Sequence, residues 1–153
     1  MYQPLTAGDL CTRNTVFAYT HLALNEAARL MREQHVGCLV IINETVMGRA
    51  VVGMLTDRDL VTAVIAKDMD PRQFRVGDVM SSDIATVRET DSVMDALTVM
   101  RHKGVRRVPV TDARGMLAGM LTIDDIFGAV ADQMRALVDA IETEQMREKR
   151  NRP

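Results

Sequence analysis

The stretch Gly53-Met54-Leu55-Thr56-Asp57-Arg58-Asp59 occurs a second time as Gly119-Met120-Leu121-Thr122-Ile123-Asp124-Asp125. Four consecutive residues are identical, and both copies carry an Asp three places after the Thr. A match of this kind within a short chain indicates an internal duplication, and a duplication decides the architecture before local propensities do.

The duplication extends over most of the chain. Ala7 lies over Val76 at an offset of 69 residues, whereas Gly53 lies over Gly119 at an offset of 66. The difference falls between strands, at turn residues such as Gly48, where a chain tolerates insertions most easily. We therefore predict a first repeat at 6–66, a linker at 67–75, a second repeat at 76–130, and a C-terminal helix and tail at 131–153.

Each repeat predicts the order strand, helix, strand, strand, helix. The strands are expected at 15–18, 36–42 and 51–55, and again at 84–87, 105–110 and 116–121; the last helices begin at Asp57 and Ile123. Ser92 and Asp95 predict a capping box in repeat two, whereas Ala23 replaces that Ser in repeat one. A single repeat would expose one face of its sheet. We therefore expect two repeats packed face to face with approximate two-fold symmetry, an α/β (α+β) fold.

The composition excludes several classes of function. The chain of 153 residues is 47% hydrophobic and 26% charged, as is ordinary for a globular domain, and its net charge of −2 gives no basic field for nucleic acid or an anionic membrane. Its longest apolar run, 38–42, is far shorter than the roughly 20 residues of a membrane helix. The N-terminus has no secretion signal, so we expect a cytoplasmic location. The two Cys and three His show no metal-ligand spacing.

The repeated heptapeptide has the chemistry of a nucleoside phosphate site. A strand ends at Leu55, Thr56 follows, and a helix begins at once, so free helix amides face the Thr and favour an anion. Asp59, one turn later, can accept two hydrogen bonds from the 2′ and 3′ hydroxyls of a ribose. The alternative is that Thr-x-x-Asp is only a capping box, which contributes about 1 kcal/mol to stability. Gly53 allows close approach of either backbone or ligand.

Two copies of Gly-hydrophobic-x-Thr-x-x-Asp, each preceded by a helix and a β-hairpin, resemble a pair of cystathionine-β-synthase (CBS) domains, the arrangement called a Bateman module. Val108-Pro109-Val110 and the opening Gly77-Asp78-Val79-Met80 also resemble this family. The resemblance covers roughly residues 6–135. It implies binding of an adenosine-containing ligand, AMP, ADP, ATP or S-adenosylmethionine, in two clefts between the repeats, and no required cofactor.

The resemblance also implies roles for individual residues. Asp59 and Asp125 would hold the ribose, and Thr56 and Thr122 would lie beside the ribose or phosphate. Each site would borrow its base pocket from the other repeat: the site of Asp59 from Ala85, Val105 and Arg106, and the site of Asp125 from Val16, Val36 and Gly37. Arg106 and Arg107 would reach phosphates.

The two sites are not expected to be equivalent. Repeat one has Gly37 and Cys38 where repeat two has the two arginines, and Arg58 corresponds to Asp124. Arg58 could aid phosphate binding at the first site, while Asp124 would repel a polyphosphate at the second. The alternative is that both of these side chains simply face solvent.

The C-terminal segment continues a helical stripe well past the end of repeat two. The stripe consists of Phe127, Val130, Ala131, Met134, Leu137, Val138 and Ile141. One interpretation is a helix that packs back on its own domain and ends in a solvated tail. The apolar spacing of three and four favours the other, a helix that meets its twin in a homodimer. The basic residues near the end are expected to be solvated, because Glu144 and Glu148 dilute them.

These observations favour a regulatory module that binds an adenosine-containing ligand and signals its occupancy to a separate partner protein. The length leaves no room for an output domain beyond the pair. The alternative is a ligand-free scaffold for dimerisation or interaction. An enzyme is not expected, because the sequence lacks a Ser-His-Asp or Cys-His arrangement, a metal cluster and a phosphate-cradling Gly-rich loop.

Overall fold

A computed structural model describes residues 4–152 and confirms the mixed α+β fold with two related halves. The first half contains α1 (Ala7–Leu10), β1 (Phe17–Tyr19), α2 (Leu24–Gln34), β2 (Cys38–Thr45), β3 (Gly48–Thr56) and α3 (Asp57–Ala63). Two 3-10 turns, Ile65–Lys67 and Pro71–Gln73, lead to the second half. That half contains α4 (Val76–Val79), β4 (Val87–Arg88), α5 (Val93–Lys103), β5 (Arg107–Thr111), β6 (Leu117–Thr122) and α6 (Ile123–Asn151).

The two sheets have the same topology. Each has three strands in chain order, with the first strand parallel and the third antiparallel to the middle one. Each also has a register shift at the same place, between Ile41 and Ile42 and between Val110 and Thr111. The predicted order of elements is confirmed, although the first strand of each half begins two or three residues later than expected.

The helix α2 buries Leu24, Ala27 and Met31, and α5 buries Ala96 and Met100. Their first turns differ as expected. Ser92 Oγ accepts a hydrogen bond from the Asp95 amide at 3.1 Å in a complete capping box. Ala23 makes no side-chain cap. Both helices end in a left-handed residue, His35 at φ 54° and Gly104 at φ 64°, which closes the last turn.

The first segment of each repeat packs in the hydrophobic core of the other repeat, and we call these two the exchanged segments. Ala7 of α1 is buried in the second core, and Val76 of α4 is buried in the first. The Ala7 amide donates to the carbonyl of Asp91 at 2.8 Å, and the Val76 amide donates to that of Leu22 at 2.9 Å. The sequence aligned these two segments but did not predict that they form helices.

Gly53 and Gly119, the repeated glycines, lie where backbone that follows the exchanged segment crosses the third strand of the other repeat. Met54 exchanges two backbone hydrogen bonds with Ser81, and Met120 exchanges two with Thr12, at 2.8–3.0 Å. A Cβ on Gly53 would lie 2.9 Å from the Ser81 carbonyl oxygen, and one on Gly119 would lie 2.7 Å from that of Thr12. The close approach that the sequence indicated is therefore made by backbone from the other repeat.

The helix α6 continues without interruption for 29 residues, so the boundary expected at 130/131 falls inside it. Ile126 is buried, but the following apolar side chains are 48–68% exposed: Phe127, Val130, Met134, Leu137, Val138, Ile141 and Met146. The interpretation in which this helix packs back on its own domain is therefore wrong. Within residues 4–152, no helix combines the length and apolar character needed to cross a membrane.

Candidate functional site

Both heptapeptides form the capping box that the sequence predicted. Thr56 Oγ1 accepts the Asp59 amide at 3.2 Å, while Asp59 Oδ2 accepts the backbone amide and the hydroxyl of Thr56, each at 2.8 Å. The Thr122–Asp125 pair repeats this arrangement at 3.1, 2.8 and 2.8 Å. Each carboxylate uses Oδ2 for the cap, and no hydrogen bond to its Oδ1 is formed by residues 4–152. One oxygen of each half-buried carboxylate therefore remains available to a ligand.

A first cleft of about 550 Å³ opens beside Asp59, between the heptapeptide of repeat one and the segments before β4 and β5 of repeat two. Its volume is within the range of small-molecule sites. Seven of the residues predicted for this site line it: Thr56, Arg58, Asp59, Ala85, Val105, Arg106 and Arg107. The structure thus brings together side chains that lie up to 51 positions apart in the sequence.

Cationic side chains slightly outnumber anionic ones in the lining of the first cleft. Its lining carries Arg58, Lys103, Arg106 and Arg107 against three carboxylates, those of Asp57, Asp59 and Asp83. Lys103 is paired with Asp83 at 3.1 Å. Arg58 lies next to Asp59 in the heptapeptide, and Arg106 and Arg107 line the cleft from repeat two. All three side chains are exposed, so three guanidinium groups border the cleft.

Arg106 connects the first cleft to the start of α6. Its side chain lies 3.7 Å from Asp124 Oδ1, and its carbonyl accepts the Ile123 amide at 2.9 Å. Both charged side chains are highly exposed, at 75% and 85%, so this ion pair is readily exchanged for another partner. Asp124, expected to repel phosphate or to face solvent, in fact pairs with a residue of the first cleft.

Gly37 differs from its predicted position. It was expected beside Asp125, but the structure places it in the wall of the first cleft. The physical reason is local: its carbonyl accepts the amide of Asp57 at 3.0 Å, because β2 begins next to the helix of its own repeat. A Cβ at this position would lie 2.9 Å from Asp57 Oδ2, so the wall is bare backbone here.

Val16 and Val36 were also expected beside Asp125. Both are partly buried against the first hydrophobic core. A second groove of about 680 Å³ does run past Asp125, but its lining is Leu5, Leu10, Asp124, Asp125, Gly128, Ala129, Asp132, Gln133 and Ala136. The long α6, together with Leu10 of α1 and Leu5 just before it, forms this groove, and repeat one has no helix of that length in the equivalent place.

The second groove is the electrostatic opposite of the first cleft. Three carboxylates line it, those of Asp124, Asp125 and Asp132, and its lining contains no cationic residue among those described. Beside it, burial raises the pKa of the Cys11 thiol, and the Asp125 carboxylate adds to that rise. The non-equivalence that the sequence predicted is therefore a difference in charge.

Cys38 follows Gly37 of the first cleft in the sequence and is 8% exposed. Burial raises the pKa of its thiol to about 11, although the neighbouring Arg107 opposes the rise. At neutral pH it is a protonated, small apolar side chain.

Sequence reasoning missed several residues of the first cleft: Met54, Asp57, Ser81, Asp83, Ile84, Lys103 and Gly104. The alignment carried a usable signal, because Ser81 follows the exchanged segment and Lys103 lies two residues before the predicted strand 105–110. Within residues 4–152, no group of three or more His, Cys, Asp or Glu side chains is placed to hold a metal ion.

Comparison with known proteins places these features in a family context. The family model of the CBS domain matches residues 7–66 and 76–132. An uncharacterised protein of Methanopyrus kandleri is 34% identical over 122 residues, 80% of this chain; the chain spans 61% of that protein's length.

Two solved structures are similar in fold. Hypoxic Response Protein I, solved with two coordinated zinc ions, is 34% identical, covers 81% of this chain and 98% of its own, and has a TM-score of 0.72. The CBS domain pair of protein MJ0100, in complex with 5′-methylthioadenosine and S-adenosylmethionine, has a TM-score of 0.73 at 21% identity. That match covers 86% of this chain and 99% of the other, and at this identity it shows the fold alone.

Proposed function

The chain belongs to the CBS domain family, as a tandem pair, and from this premise we propose that it is a regulatory module that binds an adenosine-containing ligand in the first cleft. The observation that carries the proposal is the position of Asp59. One of its carboxylate oxygens caps α3, the other accepts no hydrogen bond from residues 4–152, and Asp59 lines a cleft of about 550 Å³ whose walls come from both repeats. An oxygen free to accept from a ribose diol lies next to a cationic wall that suits phosphate.

Within this proposal, different residues bind the ribose, the base and the phosphates of the ligand. Asp59 holds the ribose hydroxyls, and the bare backbone at Gly37 leaves space beside it. Ala85 and Val105 supply apolar surface for the base. Arg58, Arg106 and Arg107 bind the phosphates, so a di- or triphosphate is preferred over AMP or S-adenosylmethionine at this site.

Occupancy would be signalled through Arg106. A phosphate that pairs with the Arg106 guanidinium would break its ion pair with Asp124, the second residue of α6. The ligand also contacts both repeats, and therefore favours one relative orientation of them. The start of α6 is the element on which both effects act, and a separate partner protein is the proposed recipient of the signal.

The second groove is proposed to have a different role. Its three carboxylates repel a polyphosphate, so Asp125 and Thr122 serve there mainly as a cap. If this groove takes an adenosine-containing ligand at all, that ligand carries no phosphate chain. Val16 and Val36, which the resemblance assigned to this site, are given no ligand contact.

The test is calorimetric titration of the wild type and three variants with AMP, ADP, ATP and S-adenosylmethionine. Asp59→Ala removes two charged hydrogen bonds to the ribose and is expected to weaken binding by about 30-fold or more. Asp125→Ala is expected to leave affinity at the first cleft unchanged.

Asp95→Ala is the matched control. It removes the equivalent cap hydrogen bonds from α5, with Ser92 as partner, but its site is outside both clefts. Equal weakening by Asp95→Ala and Asp59→Ala would show that the effect is one of helix capping. Absence of binding of all four ligands at millimolar concentration would contradict the proposal.

The second candidate function is a ligand-free scaffold, favoured by the exposed apolar stripe of α6. It predicts that Asp59→Ala and Asp95→Ala lower the melting temperature by similar amounts, whether or not nucleotide is present. Absorbance near 260 nm in the supernatant of denatured, freshly purified protein would count against it, because it would reveal a nucleotide that had remained bound.

A further inference from the structure

Lys103 and Asp83 form an ion pair inside the first cleft. Lys103 ends α5, Asp83 lies in the bend before β4, and both residues line the cleft. The Lys103 ammonium lies 3.1 Å from Asp83 Oδ1. Among residues 4–152, no other ion pair has both of its members in this lining. An anionic ligand that enters the cleft therefore meets a lysine that already has a partner.

The fold does not require this ion pair. The Asp83 carboxylate is 94% exposed and the Lys103 side chain 43% exposed, so the pair adds little to stability. Repeat one has neutral amides at the equivalent positions, Asn14 and Gln34, at the same offset of 69 residues. Gln34 ends α2 as Lys103 ends α5, and Asn14 lies in the bend before β1. The same backbone is thus built with amides in one half and with charges in the other.

The ion pair controls the charge of the cleft. With it, four cationic side chains and three carboxylates line the cleft. Without the Asp83 carboxylate, four cations would face two carboxylates; without the Lys103 ammonium, three would face three. A volume of about 550 Å³ corresponds to a cube about 8 Å on edge, and the screening length at physiological ionic strength is ~8 Å. A charged ligand anywhere in the cleft is therefore within range of both side chains.

We propose that Lys103 and Asp83 are specificity-determining residues, which set the charge of the ligand that the first cleft accepts. This inference rests on the proposed function, because it concerns ligand preference at the same site. A polyphosphate displaces the exposed Asp83 carboxylate and gains Lys103 as a further partner. S-adenosylmethionine carries a sulfonium and an ammonium against one carboxylate, so Asp83 attracts it and Lys103 repels it. The two side chains thus act in opposite directions on two classes of adenosine-containing ligand.

The experiment replaces each member of the pair by its counterpart from repeat one and measures ligand binding by calorimetry at physiological ionic strength. Asp83→Asn should strengthen ATP binding about 5-fold and weaken S-adenosylmethionine binding about 2-fold, because the cleft loses one negative charge and ATP carries the larger charge. Lys103→Gln should have the reverse effect on both ligands. The double variant keeps the wild-type excess of one cation, so its ratio of ATP to S-adenosylmethionine affinity should return close to that of the wild type.

Lys67→Gln and Asp68→Asn are the matched controls. They make the same charge changes at two exposed neighbouring residues that do not line the cleft. Asp68 has a left-handed backbone at φ 53°, which Asn also adopts readily. Neither control should shift the ratio of the two affinities. In 1 M salt, where the screening length is about 3 Å, the shifts of the cleft variants should largely disappear.

Three results would overturn this inference while ligand binding by the wild type is intact. They are an unchanged affinity ratio in both cleft variants, shifts of the same sign in Asp83→Asn and Lys103→Gln, or equal shifts in the controls. Absence of binding of ATP and S-adenosylmethionine to the wild type would instead contradict the proposed function, and this inference with it. Each single variant decides by the sign of its own shift, so one is sufficient if the other fails to fold.

Discussion

The first cleft and the second groove begin from the same local structure and end with opposite charge. In both, a Thr caps a helix, an Asp completes the cap, and the carboxylate accepts two hydrogen bonds at 2.8 Å. Arg58, Arg106 and Arg107 then line the first, whereas Asp124 and Asp132 line the second. The Gly, the buried Leu, the Thr and the Asp of the heptapeptide serve the fold in both halves. The positions between and opposite them are free to diverge, and they decide which ligand each site accepts.

The largest effect on the difference between the two sites is expected when cationic side chains are removed from the first cleft. Replacing Arg106 and Arg107 with Ala should weaken ATP binding by about 100-fold and AMP binding by much less, because each lost guanidinium removes a charged hydrogen bond. Titration calorimetry with both nucleotides measures the difference. The variant with Arg29→Ala and Arg32→Ala, two exposed arginines on α2, has the same net charge and should bind as the wild type. Equal loss of ATP and AMP affinity would contradict the assignment of these arginines to phosphate.

Both halves share a close backbone crossing at the repeated glycine, and its tightness can be tested by substitution. Gly53→Ala and Gly119→Ala should each lower the free energy of unfolding by about 1–3 kcal/mol, because the added methyl group meets backbone of the other repeat. Urea denaturation measures the change. Gly128→Ala is the control: nothing lies within 4 Å of its Cβ position, and Ala in a helix interior should stabilise by about 0.5–1 kcal/mol. Unchanged stability in Gly119→Ala would mean that the crossing strands are looser than the structure has them.

The smallest effect concerns the one cap that the halves do not share. Ala23→Ser should stabilise the protein by about 0.5–1 kcal/mol, because Ser at this position and Glu26 at the third helical residue form a capping box. Ser92→Ala should destabilise it by about 1 kcal/mol through the reverse change. Thermal unfolding of both variants gives the comparison. A destabilised Ala23→Ser protein would show that the backbone of repeat one cannot present the hydroxyl to the helix.

The repeated heptapeptide and the apolar spacing around it were sufficient to predict the duplication, the order of elements and the caps, while the family resemblance named seven of the residues that line the first cleft. These features follow from local pattern and from the symmetry that a duplication imposes. The exchanged segments could not be predicted in the same way. α1 and α4 have four residues each, too few for a helical period, and their role depends on contacts across the whole chain.

The residues around Asp125 also could not be predicted from the sequence. Symmetry assigned Val16, Val36 and Gly37 to it, but symmetry fails where one copy has an extension that the other lacks. α3 ends at Ala63, whereas α6 continues to Asn151 and supplies most of the second groove. The charge difference between the two sites was nevertheless visible in the pair Arg58 and Asp124.

The exchange of α1 and α4 has a consequence for how such a chain could arise. A lone repeat could bury its opening segment only in the core of another molecule, so it would be folded only at concentrations that support dimerisation. Joining two repeats through the linker converts that bimolecular step into an intramolecular one, at an effective concentration set by the tether. The covalent connection therefore makes folding independent of expression level, and it relieves the two copies of any need to remain identical.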